Sequence, residues 1–471
     1  MHRPSSLFLR PATLVLALAL AGCSTLRTPY EAPSALVPAQ WQHAAADAVT
    51  QQSAARDATA ITGQWWKAFG DPVLDQLVET ALARNNDLAV AAIRVRRAQL
   101  QARLSENRPS FSASVNSGAN RPLDGGSTTR SNSASVGVSY EADLWNRLGA
   151  STDAARWETL ATAQDREAAA QALVGTTATL YWQLGHFNQR LASSAESIRY
   201  AERTLALIQA QYDAGAVSTL EVAESRQSLA SQRAAMAQLQ QQYVETSNAL
   251  VLLFDGSASG PAAPGWSAPQ ALPDTALPDV AAGLPAELLG RRPDLRAAEL
   301  RLRESLATAD ATRLSYYPRL SLTGALGGSS SSLGNLLANP LATLGAGLVL
   351  PFLNRTEMQL STDIARADYE QAVVAFRQTL YQAFVDVDNA LSARRQLTEQ
   401  GVQLEQSLAD ARRAEQLYEV RYRAGAVALR PWLDAQEKRR SAEIALSDNR
   451  LSRLTNHATL YQALGGGSGG R

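Results

Sequence analysis

Gln211-Tyr212-Asp213-Ala214-Gly215-Ala216-Val217 returns, 210 residues later, as Arg421-Tyr422-Arg423-Ala424-Gly425-Ala426-Val427. Other landmarks recur in the same order at nearly the same spacing: Asp87-Leu88 with Asp294-Leu295, Pro109 with Pro318, and Asn146-Arg147 with Asn354-Arg355. Ordered echoes with small indels point to a duplicated half-molecule, because the period is far longer than that of any solenoid repeat. Gly favours the left-handed conformation that ends a helix, so Gly215 and Gly425 are read as reversals between two helices.

Upstream of each reversal lies a segment of about 60 residues without Pro. Positions 180, 184, 187, 191, 194, 198, 201, 205, 208 and 212 hold Tyr, Leu, Phe, Leu, Ser, Ile, Ala, Leu, Ile and Tyr. Alternating gaps of four and three predict a coiled-coil seam. At 1.5 Å per residue such a helix runs to about 90 Å, packed antiparallel against the shorter helix that follows. Further upstream, Phe111, Ala113 and Val115 alternate with Ser112, Ser114 and Asn116. After the turn Asp124-Gly125-Gly126-Ser127, Val136, Val138 and Tyr140 alternate with Ser135, Gly137 and Ser139. This is a β-hairpin pattern, repeated more loosely from Arg319 to Gly324 and from Leu341 to Leu350. A helix over about 72–108 precedes the first hairpin. Each half therefore reads helix, two strands, long helix, Gly break, helix.

The chain divides into a leader 1–22, an extended segment 23–71, a first repeat 72–255, a Pro/Gly-rich linker 256–285, a second repeat 286–464 and a Gly-rich tail 465–471. In the leader, Arg3 and Arg10 precede an apolar run from Leu14 to Leu20, too short to span a bilayer. Leu20-Ala21-Gly22-Cys23 resembles a bacterial lipobox, which makes Cys23 the lipidated mature N-terminus and the outer-membrane lipid a partner. Ser24 rather than Asp after that cysteine favours the outer membrane. No later run approaches ~18 apolar residues.

Composition narrows the function. With 44 basic and 44 acidic residues there is no basic excess for nucleic acid, and the one Cys excludes a disulfide framework. The four His, at 2, 43, 186 and 457, match no metal motif, and neither a cofactor loop nor a nucleophile elbow is visible. Catalysis, metal and cofactor are therefore not expected. Four strands of ~9–11 residues suit tilted crossings of an outer membrane, yet four cannot close a barrel. An open edge in lipid leaves backbone groups unpaired, so the barrel must be shared between chains. A lipid-anchored coiled-coil scaffold would explain the heptads and the lipobox but not the duplicated hairpins.

The two halves, the lipobox, Trp65-Trp66, the run Tyr140-Glu141-Ala142-Asp143-Leu144-Trp145-Asn146-Arg147 and the Tyr-x-x-Gly turns resemble the TolC-type outer-membrane efflux channels, in their OprM/NodT-like lipoprotein branch. The resemblance implies an α+β membrane protein: a homotrimer with a shared twelve-stranded β-barrel, four strands per chain, and a long periplasmic α-helical barrel. It implies docking to a periplasmic adaptor and to an inner-membrane pump, often of the resistance-nodulation-division class. Drug efflux, type I secretion and metal efflux are all compatible with such a duct. In the family an acid nine residues past the second turn glycine forms a constriction ring, with a second acid six past it; the first is here Asp434, and the first half has Glu221 and Glu224 at the offsets of six and nine. The second family acid is replaced by Pro431. A family latch runs from the Tyr three before that glycine, here Tyr422, with Glu221 where its acceptor would stand; the accompanying Arg is Val427. Acids near helix N-termini are also favourable on a merely solvated face. The turns at Gly215 and Gly425, with Arg423 and Ala424, are where an adaptor would meet the tip, although Ala and Gly also simply make such turns.

Overall fold

The computed structural model describes residues 26–43, 64–255, 266–274, 276–278, 280, 285–336, 338 and 340–466. The leader, Cys23, much of the linker and the end of the tail lie outside the described residues. The elements run α1 (Pro72–Arg84), α2 (Asn86–Leu104), β1 (Ser110–Asn120), β2 (Thr129–Ala142), α3 (Arg147–Asp213), α4 (Thr219–Leu252), the short α5 (Leu288–Arg291), α6 (Pro293–Leu314), β3 (Arg319–Ser330), β4 (Pro340–Val349), α7 (Arg355–Arg423) and α8 (Leu429–Ala463). The order repeats once, as the echoes require. No helix among the described residues is long and apolar enough to cross a membrane.

The single helix expected over 72–108 is two. Asn85 interrupts it in an extended conformation, and its Oδ1 accepts from Leu88 N at 3.0 Å while its Nδ2 donates to the Leu253 carbonyl at 3.2 Å. A short amide side chain that bonds the backbone locally competes with helix continuation and caps the next helix instead. Asp71 starts α1 in the same way, accepting from Val73 N and Leu74 N.

The chain forms two compact units. One gathers residues 26–35, 94–163 and 297–378, and holds the sheet. All four strands are antiparallel in the order β1-β2-β3-β4. Register stacks the apolar residues on one face: Phe111 opposite Val138, Val136 opposite Leu326, Tyr140 opposite Leu322, Leu320 opposite Leu348. The other face is small and polar, with Ser110 and Ser139 joined through their hydroxyls at 2.7 Å and Ser114 and Ser135 at 3.0 Å. Large apolar side chains stand in the open: Phe111 is 79% and Leu344 92% exposed. In the same unit, Thr28 straps the N-terminal segment to α6, its N and Oγ both bonding the Asp310 carboxylate at 2.8 Å.

The second unit gathers the described residues of 36–93, 164–296 and 379–466. Its core sets Trp65 and Trp66 among Leu74, Leu77, Trp182, Leu184 and Tyr461, with Trp65 stacked on Tyr461 at 5.1 Å. The helical pairs are antiparallel. In the first, Arg233 meets Glu202 at 2.8 Å and Arg226 meets Gln209 at 3.3 Å; in the second, Arg412 meets Glu443 at 3.1 Å and Asn449 Nδ2 donates to the Leu397 carbonyl at 3.0 Å. The predicted seam holds at Leu184, Ala201 and Ile208 but drifts at its end: Tyr212 is exposed and Thr204 is buried instead. A straight helix slips against a strict 3.5 repeat, so a seam extrapolated over ten positions leaves the buried face.

Trp66 is fully buried. Trp66→Ala is expected to cost about 3–5 kcal/mol, read as a fall in the chemical-denaturation midpoint with the slope unchanged.

Candidate functional site: the turns at the end of the helical hairpins

Both reversals are built alike. Gly215 and Gly425 have φ of 74° and 71°, and the following amides, Ala216 N and Ala426 N, reach back to the carbonyls of Gln211 and Arg421 at 2.8 and 2.9 Å. This is the double-bonded helix stop that a left-handed residue permits. Nothing lies within 4 Å of where a Cβ would stand on either glycine, so the requirement is conformational rather than steric. Both turns are solvent-exposed.

The two reversals then diverge. Behind the second, Trp432 is buried against Ile208, Val222 and Leu429. Tyr422 stacks on its ring at 5.1 Å and Tyr200 meets it edge-on at 6.3 Å. Each phenol also reaches a partner helix: Tyr422 OH donates to Gln211 Oε1 at 2.7 Å, and Tyr200 OH donates to Glu419 Oε2 at 3.1 Å. Both bonds cross between α3 and α7. Burial, then the charge of Glu419, pushes the Tyr200 phenol up; burial, then Glu221, raises that of Tyr422.

The acceptor of Tyr422 is therefore Gln211, and the expected role of Glu221 is corrected. Glu221 is the N3 residue of a capping box: its carboxylate accepts from Ser218 N at 3.0 Å and from the Ser218 hydroxyl, which lowers its pKa. A carboxylate already engaged at its own helix N-terminus acts on the phenol only through its charge. The other two acids are brought together, by a residue that the sequence reading passed over. Arg430 Nε binds Asp434 at 2.9 Å and its Nη1 lies 3.7 Å from Glu224, so one guanidinium joins α8 to α4. The i,i+4 spacing of Arg430 and Asp434 was visible in the sequence; the approach of Glu224 was not. The same residues are among those that line a polar groove of about 690 Å³ between the hairpins, which also takes in Ser228, Ser231 and Arg440. Cys23 lies outside the described residues.

The sheet defines the second half of the site. Among the described residues β1 pairs only with β2 and β4 only with β3, which leaves both edges free there, while one face is apolar and exposed. An apolar sheet with two open edges closes in lipid only with other copies, and three copies supply twelve strands. The fold is thus that of an oligomeric membrane duct with a helical extension. A sequence profile of the outer membrane efflux protein family matches residues 77–255 and 284–466, and the chain belongs to that family. It is 34% identical to the pyoverdine export outer membrane protein OpmQ of Pseudomonas putida, over 96% of each chain. It is 33% identical to the toluene efflux pump outer membrane protein TtgC of another Pseudomonas putida strain, over 96% of this chain and 94% of the other. A crystal structure of a membrane protein from Pseudomonas aeruginosa superposes with a TM-score of 0.80 at 29% identity, covering 93% of this chain and 99% of that one. The family fold is the homotrimer with a shared barrel in the outer membrane and helices in the periplasm.

Two measurements follow from this geometry. Tyr422→Phe keeps the stack on Trp432 and loses one hydrogen bond, so it should cost about 0.5–1.5 kcal/mol and be non-additive with Gln211→Ala in a double-mutant cycle. His186, packed between Ser447 Oγ at 2.9 Å and Asp448 at 3.2 Å, has its pKa lowered chiefly by burial. Its folded pKa lies below the unfolded one, so the unfolded chain takes up the proton more readily and stability falls as pH drops below about 6.5. His186→Gln should flatten that acid-side slope in denaturation series at stepped pH.

Proposed function

We propose that this protein is the passive outer-membrane exit duct of a tripartite efflux assembly, driven by an inner-membrane pump through a periplasmic adaptor. The observation that carries the reading is the coexistence, in one chain, of an open-edged apolar sheet and two helical hairpins tied together at their turns. The first needs two more copies of the chain; the second narrows whatever those copies enclose. Energy and chemistry come from the partners, and the duct itself makes and breaks no covalent bond. The pyoverdine and toluene named for two relatives are chemically unlike, which supports a cargo of diverse small molecules selected upstream. Cys23 is the lipid anchor in this reading.

We assign the resting closure to the end of the hairpins. Trp432 is its apolar wedge, Tyr422–Gln211 and Tyr200–Glu419 its polar ties, and Arg430 the clip that holds Asp434 and Glu224 together. Opening is then a change between two packings of the helices, biased by adaptor contacts at the exposed Gly215 and Gly425 turns. Three symmetry copies of Asp434 at the constriction favour cations, moderated by Arg430.

Light scattering of the detergent-extracted protein, with detergent subtracted, should give a trimer; a folded monomer overturns the duct. In planar bilayers Trp432→Ala should raise conductance severalfold, since it removes the wedge. Asp434→Ala should lower cation preference and Arg430→Ala should raise it, each by up to a few-fold, the scale of an exposed ion pair worth about 0.2–1 kcal/mol. Unchanged currents in all three variants would remove the gate from these residues.

A further inference from the structure

Along the apolar face of the sheet the register can be read rung by rung. The lowest paired rung is Ala142, Leu320 and Leu348, on β2 to β4, and the highest apolar one is Val115, Ala134 and Gly328. From Ala142 to Ala134 the strand rises roughly 26 Å along its length, or about 20 Å in height at the usual tilt, close to the ~25 Å apolar band of an outer-membrane barrel. The face then changes character abruptly. The next rung is Ser117, Asn132 and Ser330, a polar tie across three strands: Ser117 Oγ donates to Asn132 Oδ1 at 2.7 Å and Asn132 Nδ2 donates to the Ser330 carbonyl at 3.2 Å. Asn132 is buried, its amide consumed within the sheet. One rung higher on the same face stands Arg130, opposite Ala119, and Arg121 follows directly on the end of β1.

Arg121 and Arg130 are both exposed, and among the described residues neither guanidinium has a hydrogen-bond or ion-pair partner. The carboxylate of Asp124, in the intervening turn, pairs with neither. Arg130 lies four residues beyond the last apolar rung, about 10 Å above the band, which is the depth of lipid phosphates rather than of acyl chains or bulk water. An unpaired guanidinium at that depth on the lipid side matches a phosphate monoester, which it can bind through two parallel N–H donors.

We propose that Arg130, assisted by Arg121, forms a binding site for the phosphate groups of the outer-leaflet glycolipid, lipid A, on the outward rim of the barrel. Three copies make a ring of three such sites. The Ser117–Asn132–Ser330 tie marks its floor, sealing the backbone where the apolar band ends. The site is independent of the gate and of any cargo; it rests on the barrel alone.

The test is a binding titration of the full-length, detergent-solubilised trimer with diphosphoryl lipid A, and with the same lipid enzymatically stripped of phosphate. Wild-type protein should prefer the diphosphoryl lipid by about tenfold or more, and added salt should erode that preference. The Arg121→Ala/Arg130→Ala variant should lose it, while Arg130→Lys should retain part of it. A preference that survives in the double variant, or equal binding of both lipids by wild type, overturns the proposal. Trimer mass is checked for each variant; should the double variant fail to assemble, Arg130→Gln is titrated in its place with the same expected loss.

Discussion

The rest of the structure depends on one unmet demand: the backbone hydrogen-bonding groups along the outer edges of β1 and β4. In water such edges are satisfied by solvent, and in hydrocarbon they are not. Because Phe111, Val136, Leu326 and Leu344 commit one face of the same sheet to lipid, the edges cannot be left to water, and only further copies of the chain can meet them. Oligomerisation is therefore a condition of insertion rather than a later refinement. It also accounts for the small residues of the opposite face. Ser110, Ser114, Ser135 and Ser139 satisfy one another in pairs, so the middle of that face is hydroxylated, with the charged Glu141 and Arg319 standing only where β2 ends and β3 begins.

Much of this was legible in the sequence because it rests on local rules. Period-two alternation located all four strands, and Gly215 and Gly425 located both reversals, since a left-handed residue at a helix end is a property of the backbone alone. The duplication supplied the element order. Side-chain partnerships were less legible. Asn85 looked like an ordinary helical residue until its amide was seen to bond Leu88 and Leu253. Tyr422 was recognised as a tie, but its acceptor was sought at Glu221, whose carboxylate had already been taken by Ser218. Competition between a local cap and a distant partner is decided by proximity in three dimensions, which spacing along the chain does not report. Arg430 was overlooked for a related reason: its i,i+4 partner Asp434 is evident, whereas Glu224 reaches it from a helix more than 200 residues away in sequence.

The electrostatics of the tip follow from that sharing. Asp434 and Glu224 would each present a bare charge to the groove; with Arg430 between them the triad carries one net negative charge rather than two. The clip is exposed, so its strength answers to ionic strength, whereas the Trp432 contacts do not. In the proposed closure a salt-sensitive tie would thus act beside a salt-insensitive wedge.

The two halves follow one plan, yet they bring unlike residues to the ties between them. Where the second half has Tyr422, Arg430 and Trp432, the matching offsets of the first hold Tyr212, Leu220 and Val222. Tyr212 and Leu220 lie in the open, while Tyr422 is half-buried and Trp432 wholly so. The ties are therefore asymmetric: Tyr422, Arg430 and Trp432 of the second hairpin meet Gln211, Glu224, Ile208 and Val222 of the first. The halves are thus no longer interchangeable, and drift on either side of a tie is constrained by the residue it meets on the other.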